Sequence, residues 1–246
     1  MATRGMKGRM GGESDALSPQ EAASLLAWWL DAGVDVAVAE EPRNWLAPPA
    51  RAVAPSAPTH APSPAEAPAD LHALHSWLRE ASDLPLFRSG AARALPHGPA
   101  EAEIMLVSGL PDRDDAADGR PIGGEAWTLT TRMLAAIGFT PEQAYVASLT
   151  CFPAAGTRLA DDEARRCAEQ MKRHIGLVAP RRLLLLGDAP AKALLGAPMA
   201  AARGKVHRID GVPTVATFHP RHLMQRPGDK ALAWRDLLLL MSETIS

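Results

Sequence analysis

From about residue 70 onward, apolar residues in this chain follow two alternating rhythms. Short continuous runs at 104–107, 145–150, 183–186 and 212–217 read as strands, three of them bounded on one side by Gly or Ser. The third is four consecutive leucines, the signature of a strand buried on both faces. Between the runs, apolar positions recur at three- and four-residue spacing and predict helices over 70–82, 125–137, 161–178, 191–195 and 229–245. Leu71, Leu74, Trp77 and Leu78 mark the inner face of the first, and Cys167, Met171, Ile175 and Val178 that of the third. Strands alternating with helices predict a three-layer α/β/α sandwich with a mainly parallel central sheet.

The first 69 residues follow another pattern. Residues 1–46 carry a basic, Gly-rich tail and then a helix start, with Ser18 as N-cap, Pro19 in the first turn and Glu21 three residues after the cap. That helix brings Trp28, Trp29 and Leu30 together, to pack on its own domain or on a protein partner. Residues 47–69 are dominated by Ala, Pro and Ser, a composition that predicts a disordered linker. The main domain is expected over 70–246.

Bulk numbers narrow the classes further. A 246-residue chain with 47% apolar residues can build one α/β domain with extensions. A formal net charge of -2 gives no global nucleic-acid signature, although it permits a local basic face. Two cysteines make no disulfide framework. No apolar run approaches the roughly 18 residues of a membrane span, and the N-terminus lacks an apolar signal core. A cytoplasmic monomer is expected.

The candidate chemistry concentrates between Arg203 and Arg226. His219 follows the last strand, at the C-terminal strand end where open α/β sheets carry their sites. Pro220 is expected to hold His219 extended, ending the strand without beginning a helix. Arg203, Lys205, His207, Arg208, Arg221, His222 and Arg226 surround it. A second polar cluster, Asp112, Asp114, Asp115 and Asp118, follows the first strand. There is no G-x-S-x-G, phosphate-binding loop or dinucleotide fingerprint, which argues against a small-molecule hydrolase or a nucleotide-binding protein.

Several of these stretches occur in one order that is similar to the uracil-DNA glycosylase superfamily, in its iron–sulfur (family 4) branch. They are Ser108-Gly109-Leu110-Pro111-Asp112, Gly119-Arg120-Pro121-Ile122-Gly123-Gly124, the string Arg132 to Gly138, and Leu185 to Gly196. Arg203-Gly204-Lys205-x-His207 and Phe218-His219-Pro220 complete the set. The resemblance runs from about Leu71 to the C-terminus.

It implies excision of uracil or another damaged base from DNA by N-glycosidic hydrolysis, with base flipping. His219 takes the role of stabilising the departing base. Gly109 stands where the family has its acid; Asp112, Asp114 or Asp115 would substitute from nearby, and Asp112 is the one assigned. Gly109, Pro111, Ile122 and Ser148 would line the base pocket, Ile122 replacing a stacking aromatic and Ser148 an asparagine. Arg203, Lys205, His207 and Arg221 would contact DNA. The resemblance also implies a 4Fe–4S cluster on four cysteines, but two of those positions are Ala81 and Leu84. Cys151 and Cys167 alone do not complete a cluster site, so no cofactor and no metal are expected. The alternative is a glycosylase fold that has lost turnover and binds DNA or a protein.

Overall fold

The computed structural model describes residues 23–24, 68–153 and 159–243. The chain divides into two units, Met1–Ala61 and Pro62–Ser246, and the description below concerns the second. The expected Trp28/Trp29 helix and most of the expected linker lie outside the described residues.

The elements in order are α1 (Leu71–Glu80), β1 (Ile104–Ser108), α2 (Arg113–Ala117), α3 (Gly124–Ala136), β2 (Ala144–Ser148), α4 (Asp161–Val178) and β3 (Leu183–Leu186). They continue with α5 (Asp188–Leu195), α6 (Met199–Ala202), β4 (His207–Ile209), β5 (Val212–Thr217), α7 (Pro220–Gln225) and α8 (Lys230–Ser242). The strands form one sheet in the order β2-β1-β3-β5-β4. All neighbours are parallel except β4 and β5.

Each long strand is buried on both faces, and the pleat decides which layer a side chain joins. Met105, Val107, Tyr145, Leu183 and Leu185 face Met171, Ile175 and Val178 of α4 and Leu194 of α5. Their chain neighbours Ile104, Leu106, Val146, Leu184 and Leu186 point the other way, to Leu134 of α3 and Leu237 and Leu240 of α8. This is the expected three-layer sandwich. The short elements β4, α2, α6 and α7 were not expected. Strand β4 covers the β5 edge, and the acidic loop contains the helix α2, capped reciprocally by Asp112 and Asp115.

Pro220 is a correction. His219 is extended (φ -67°, ψ 142°), as expected before proline, yet Pro220 opens α7 with His219 as its N-cap. A proline at the first helical position loses no intrahelical bond, because that N–H has no acceptor there anyway.

One buried polar chain crosses the α4 layer. The Tyr145 hydroxyl lies 2.6 Å from His75 Nε2 and 2.7 Å from His174 Nε2, so it accepts from one imidazole and donates to the other. Burial pushes His174 down to about 3 and also lowers His75. An unfolded histidine titrates near the ordinary 6.5, so between about pH 3 and 6.5 the unfolded chain binds the proton that folded His174 refuses. Stability is therefore present above pH 6.5 and lost as pH falls. Over that range His174 contributes a slope of about 1.4 kcal/mol per pH unit. Thermal unfolding from pH 7.5 down to pH 5 is expected to show this slope, and His174→Gln to flatten it.

Candidate active site

The parallel register brings the C-terminal ends of four strands into line, with Ser108 opposite Ser148 and Leu186 opposite Thr217. β1 connects outward to β2 on one side, while β3 lies on its other side, so a topological switch point falls between β1 and β3. Gly109 and Gly187 occupy it. Gly187 has φ +93°, which carries the chain from β3 into α5, and a Cβ there would stand 3.5 Å from the His219 Cβ. A Cβ on Gly109 would meet the Ala189 methyl at 3.2 Å. A side chain at position 109 would thus press on the start of α5, which would have to yield by a few tenths of an ångström.

His219 is half-buried beside this crevice. Its Nδ1 accepts the backbone N–H of Arg221 at 3.2 Å. Burial, then the Arg221 guanidinium, push its pKa down to about 4, against the opposing pull of Asp115 and Asp112. At neutral pH the ring is therefore uncharged. With Nδ1 accepting, its single proton sits on Nε2, for which no described residue supplies a partner.

The two aspartates and Arg221 form a compact hub. Asp115 is fully buried and accepts the Gly123 N–H at 2.5 Å and the Asp112 N–H at 3.0 Å. Asp112 accepts the Asp115 N–H at 2.8 Å. Arg221 joins both, with Nε 2.8 Å from Asp112 Oδ2 and Nη2 on Asp115 Oδ1. The loop after β1, the Ile122–Gly123 turn and the His219 segment are pinned to one another through these three side chains.

The candidate residues do not share one environment. Gly109, Asp112 and His219 gather at the switch point. Ser148 ends β2 at the same level, but its hydroxyl donates to the Thr150 carbonyl at 2.7 Å, leaving only its lone pairs for a ligand. Pro111 is buried. Ile122 has no exposed surface and packs in the core against α3 and α8, so here it offers no wall to a ligand.

Three of the four residues expected to contact DNA already have a partner within the domain. Arg203 bonds Asp236 through Nε (3.2 Å) and Nη2 (3.0 Å), and Asp236 also accepts from the Thr217 hydroxyl. His207 Nε2 lies 2.8 Å from the Ala202 carbonyl, and Arg221 is the hub just described. In each, a local acceptor reached by the fold outcompetes solvent. Lys205 and Arg226 remain exposed with no ion-pair partner among the described residues.

The cysteines do not meet the demands of a cluster. Cys151 and Cys167 are buried and share the lining of a void of about 30 Å³ with Trp77, Leu84 and Met171. Burial pushes their pKa values up to about 12 and about 11, so both are thiols. Leu84 and Ala81 pack with Phe87 and Phe152 into a small apolar core. Arg93 closes it, lying 4.8 Å from the Phe152 ring centroid and donating to the carbonyls of Leu78 and Ala81. Two thiols, with Ala81 and Leu84 at the other two ligand positions, do not fit a four-iron cluster.

Fold and site together define an α/β protein with a switch-point crevice and a neutral histidine at a strand end. Its sequence matches the model of the uracil DNA glycosylase superfamily over residues 95–238. The chain belongs to that superfamily. The type-4 uracil-DNA glycosylase of Archaeoglobus fulgidus is 28% identical over 141 residues, covering 53% of this chain and 71% of the relative. That of Pyrobaculum aerophilum is 25% identical over 181 residues, covering 69% and 92%.

Asp115 is one of three aspartates that the sequence offers for the family acid, and its place in the hub with Arg221 is not legible there. Its signal was present as the three-residue spacing from Asp112, a reciprocal capping pair, but nothing local distinguishes it from Asp114 or Asp118.

Proposed function

We propose that this chain is a uracil-DNA glycosylase-type enzyme of base-excision repair, hydrolysing the N-glycosidic bond of uracil or another damaged base flipped out of DNA. The observation that carries this reading is His219, a neutral imidazole at the switch point whose Nε2–H has no partner among the described residues. As the sugar–base bond breaks, the base keeps the bonding electron pair and negative charge grows on its ring oxygen. The Nε2–H donates to that oxygen without itself losing a proton. Water then forms the new bond to C1′ and releases its proton. Asp112, with its side chain 42% exposed, is the carboxylate we assign to receive it. We place the protein in the cytoplasm as a monomer, with DNA as its macromolecular substrate. Among the described residues no helix is long and apolar enough to cross a membrane. The Trp28/Trp29 segment remains our candidate for a protein contact.

A second reading is supported by Gly109 and Ile122. The position of the family acid carries no side chain and is crowded by Ala189, while Ile122 is buried. These observations favour a fold retained for binding DNA without turnover. Base release from a uracil-containing oligonucleotide at low salt separates the two: release supports the enzyme, and binding without release supports the second reading.

The cations carry a prediction of their own. Lys205→Ala is expected to leave thermal unfolding unchanged and weaken DNA binding, with a salt slope shallower by about one. Arg203→Ala would leave Asp236, 1% exposed, without its cation and cost about 3–5 kcal/mol in urea unfolding.

A further inference from the structure

We propose that Arg221 is a positioning residue, whose side chain, held by Asp112 and Asp115, fixes the backbone N–H that keeps the proton of His219 on Nε2. Its kinetic consequence rests on the glycosylase reading above, whereas the tautomer is a property of the protein alone.

The first support is a coincidence of two roles in one bond. The first-turn N–H groups of a helix have no intrahelical acceptor, and an N-cap oxygen usually supplies one. In α7 the cap is His219, and the acceptor for the Arg221 N–H is its Nδ1 at 3.2 Å. A proton on Nδ1 would face the amide proton head-on, so capping the helix and selecting the tautomer are the same event.

The second support is the anchoring of that N–H. α7 has six residues, too few to hold its own orientation. Arg221 ties it to the rest of the domain through Nε on Asp112 (2.8 Å) and Nη2 on Asp115. Asp115 is fully buried and also holds the Gly123 and Asp112 amides, so the anchor point is rigid. A planar guanidinium can bridge two carboxylates in fixed directions, and an ammonium cannot. The charged groups that act on His219 are this one cation and these two anions, and burial, with Arg221, keeps the imidazole neutral against the pull of the two aspartates.

The test is ¹⁵N NMR of the histidine rings at pH 7, alongside single-turnover base release and DNA affinity. Wild type, Arg221→Lys and Asp112→Asn are compared. The wild-type ring is expected to show a protonated Nε2 and an unprotonated Nδ1. In Arg221→Lys the two nitrogens are expected to move toward averaged shifts, with release slowed about 10- to 100-fold and DNA affinity nearly unchanged. Asp112→Asn keeps the buried Asp115 pair and is expected to fold with ring shifts between the two; because Asp112 is also the assigned proton acceptor, its ring shifts and not its release rate carry the test if the lysine variant does not fold. Unchanged ring shifts and unchanged release in a folded variant would overturn the proposal. So would lost DNA affinity with unaltered shifts, which would make Arg221 a phosphate contact. If the wild type releases no base, the glycosylase reading fails and the ring nitrogens still decide the tautomer.

Discussion

His219→Ala is expected to slow base release from a uracil-containing oligonucleotide by about 10²–10³-fold, the usual cost of removing one preorganised donor to a developing anion. The folded domain should survive, because the lost N-cap is worth only about 1 kcal/mol. DNA affinity should also persist, since a half-buried neutral ring supplies no phosphate charge. The pH profile makes the prediction sharper. With burial holding the His219 pKa at about 4, its charge state is constant from about pH 5.5 to 8, and its contribution to the rate should be flat there. Below pH 4, protonation of Nδ1 would break the bond from the Arg221 amide and disturb the site. A mechanism that used the imidazolium would instead accelerate on acidification toward pH 4. Single-turnover rates across pH 4–8, for wild type and His219→Ala, distinguish the two.

The largest stability effect is expected at Asp115. Replacing it with alanine leaves three donors stranded: the Gly123 and Asp112 amides and one arm of Arg221. Breaking a buried charge pair from one side costs about 3–5 kcal/mol. Asp115→Asn keeps the shape and one acceptor oxygen, but its amide nitrogen turns donor against donor, so it should also destabilise, by less. Asp114→Ala, on the same loop but exposed and without a side-chain bond among the described residues, should stay within about 0.5 kcal/mol. Urea unfolding of the three variants checks the order. Equal loss from Asp114 and Asp115 would contradict the hub.

Both predictions concern residues that the sequence treats unequally. His219 could be picked out because a β-branched run ending in Phe-His-Pro is a local pattern, and strand ends are where parallel sheets present their loops. Asp115 could not, because its importance comes from Arg221, 106 positions away. The same limit applies to Arg203 and His207. In sequence they read as part of a basic face, yet Asp236 and the Ala202 carbonyl draw their donors inward. Pro220 shows a subtler case. Its restriction on His219 is local and holds, but whether the chain after it coils depends on the Asp112 and Asp115 anchor for Arg221 and on Leu223 being buried.

Taken by itself, the chain determined its layers. Leu183–Leu186 must be buried on both faces, and the face of α4 carrying Met171, Ile175 and Val178 must turn inward, because burial at fixed period is a property of neighbours along the chain. It also determined the strand-end position of His219. Tertiary structure alone decided that Ile122 is core, that Ala189 crowds Gly109, and that two cysteines sit as thiols in an apolar pocket. It decided, too, which carboxylates hold Arg221. Pairing and desolvation of polar groups depend on what the fold brings within about 3 Å, and no periodicity in the sequence encodes that distance.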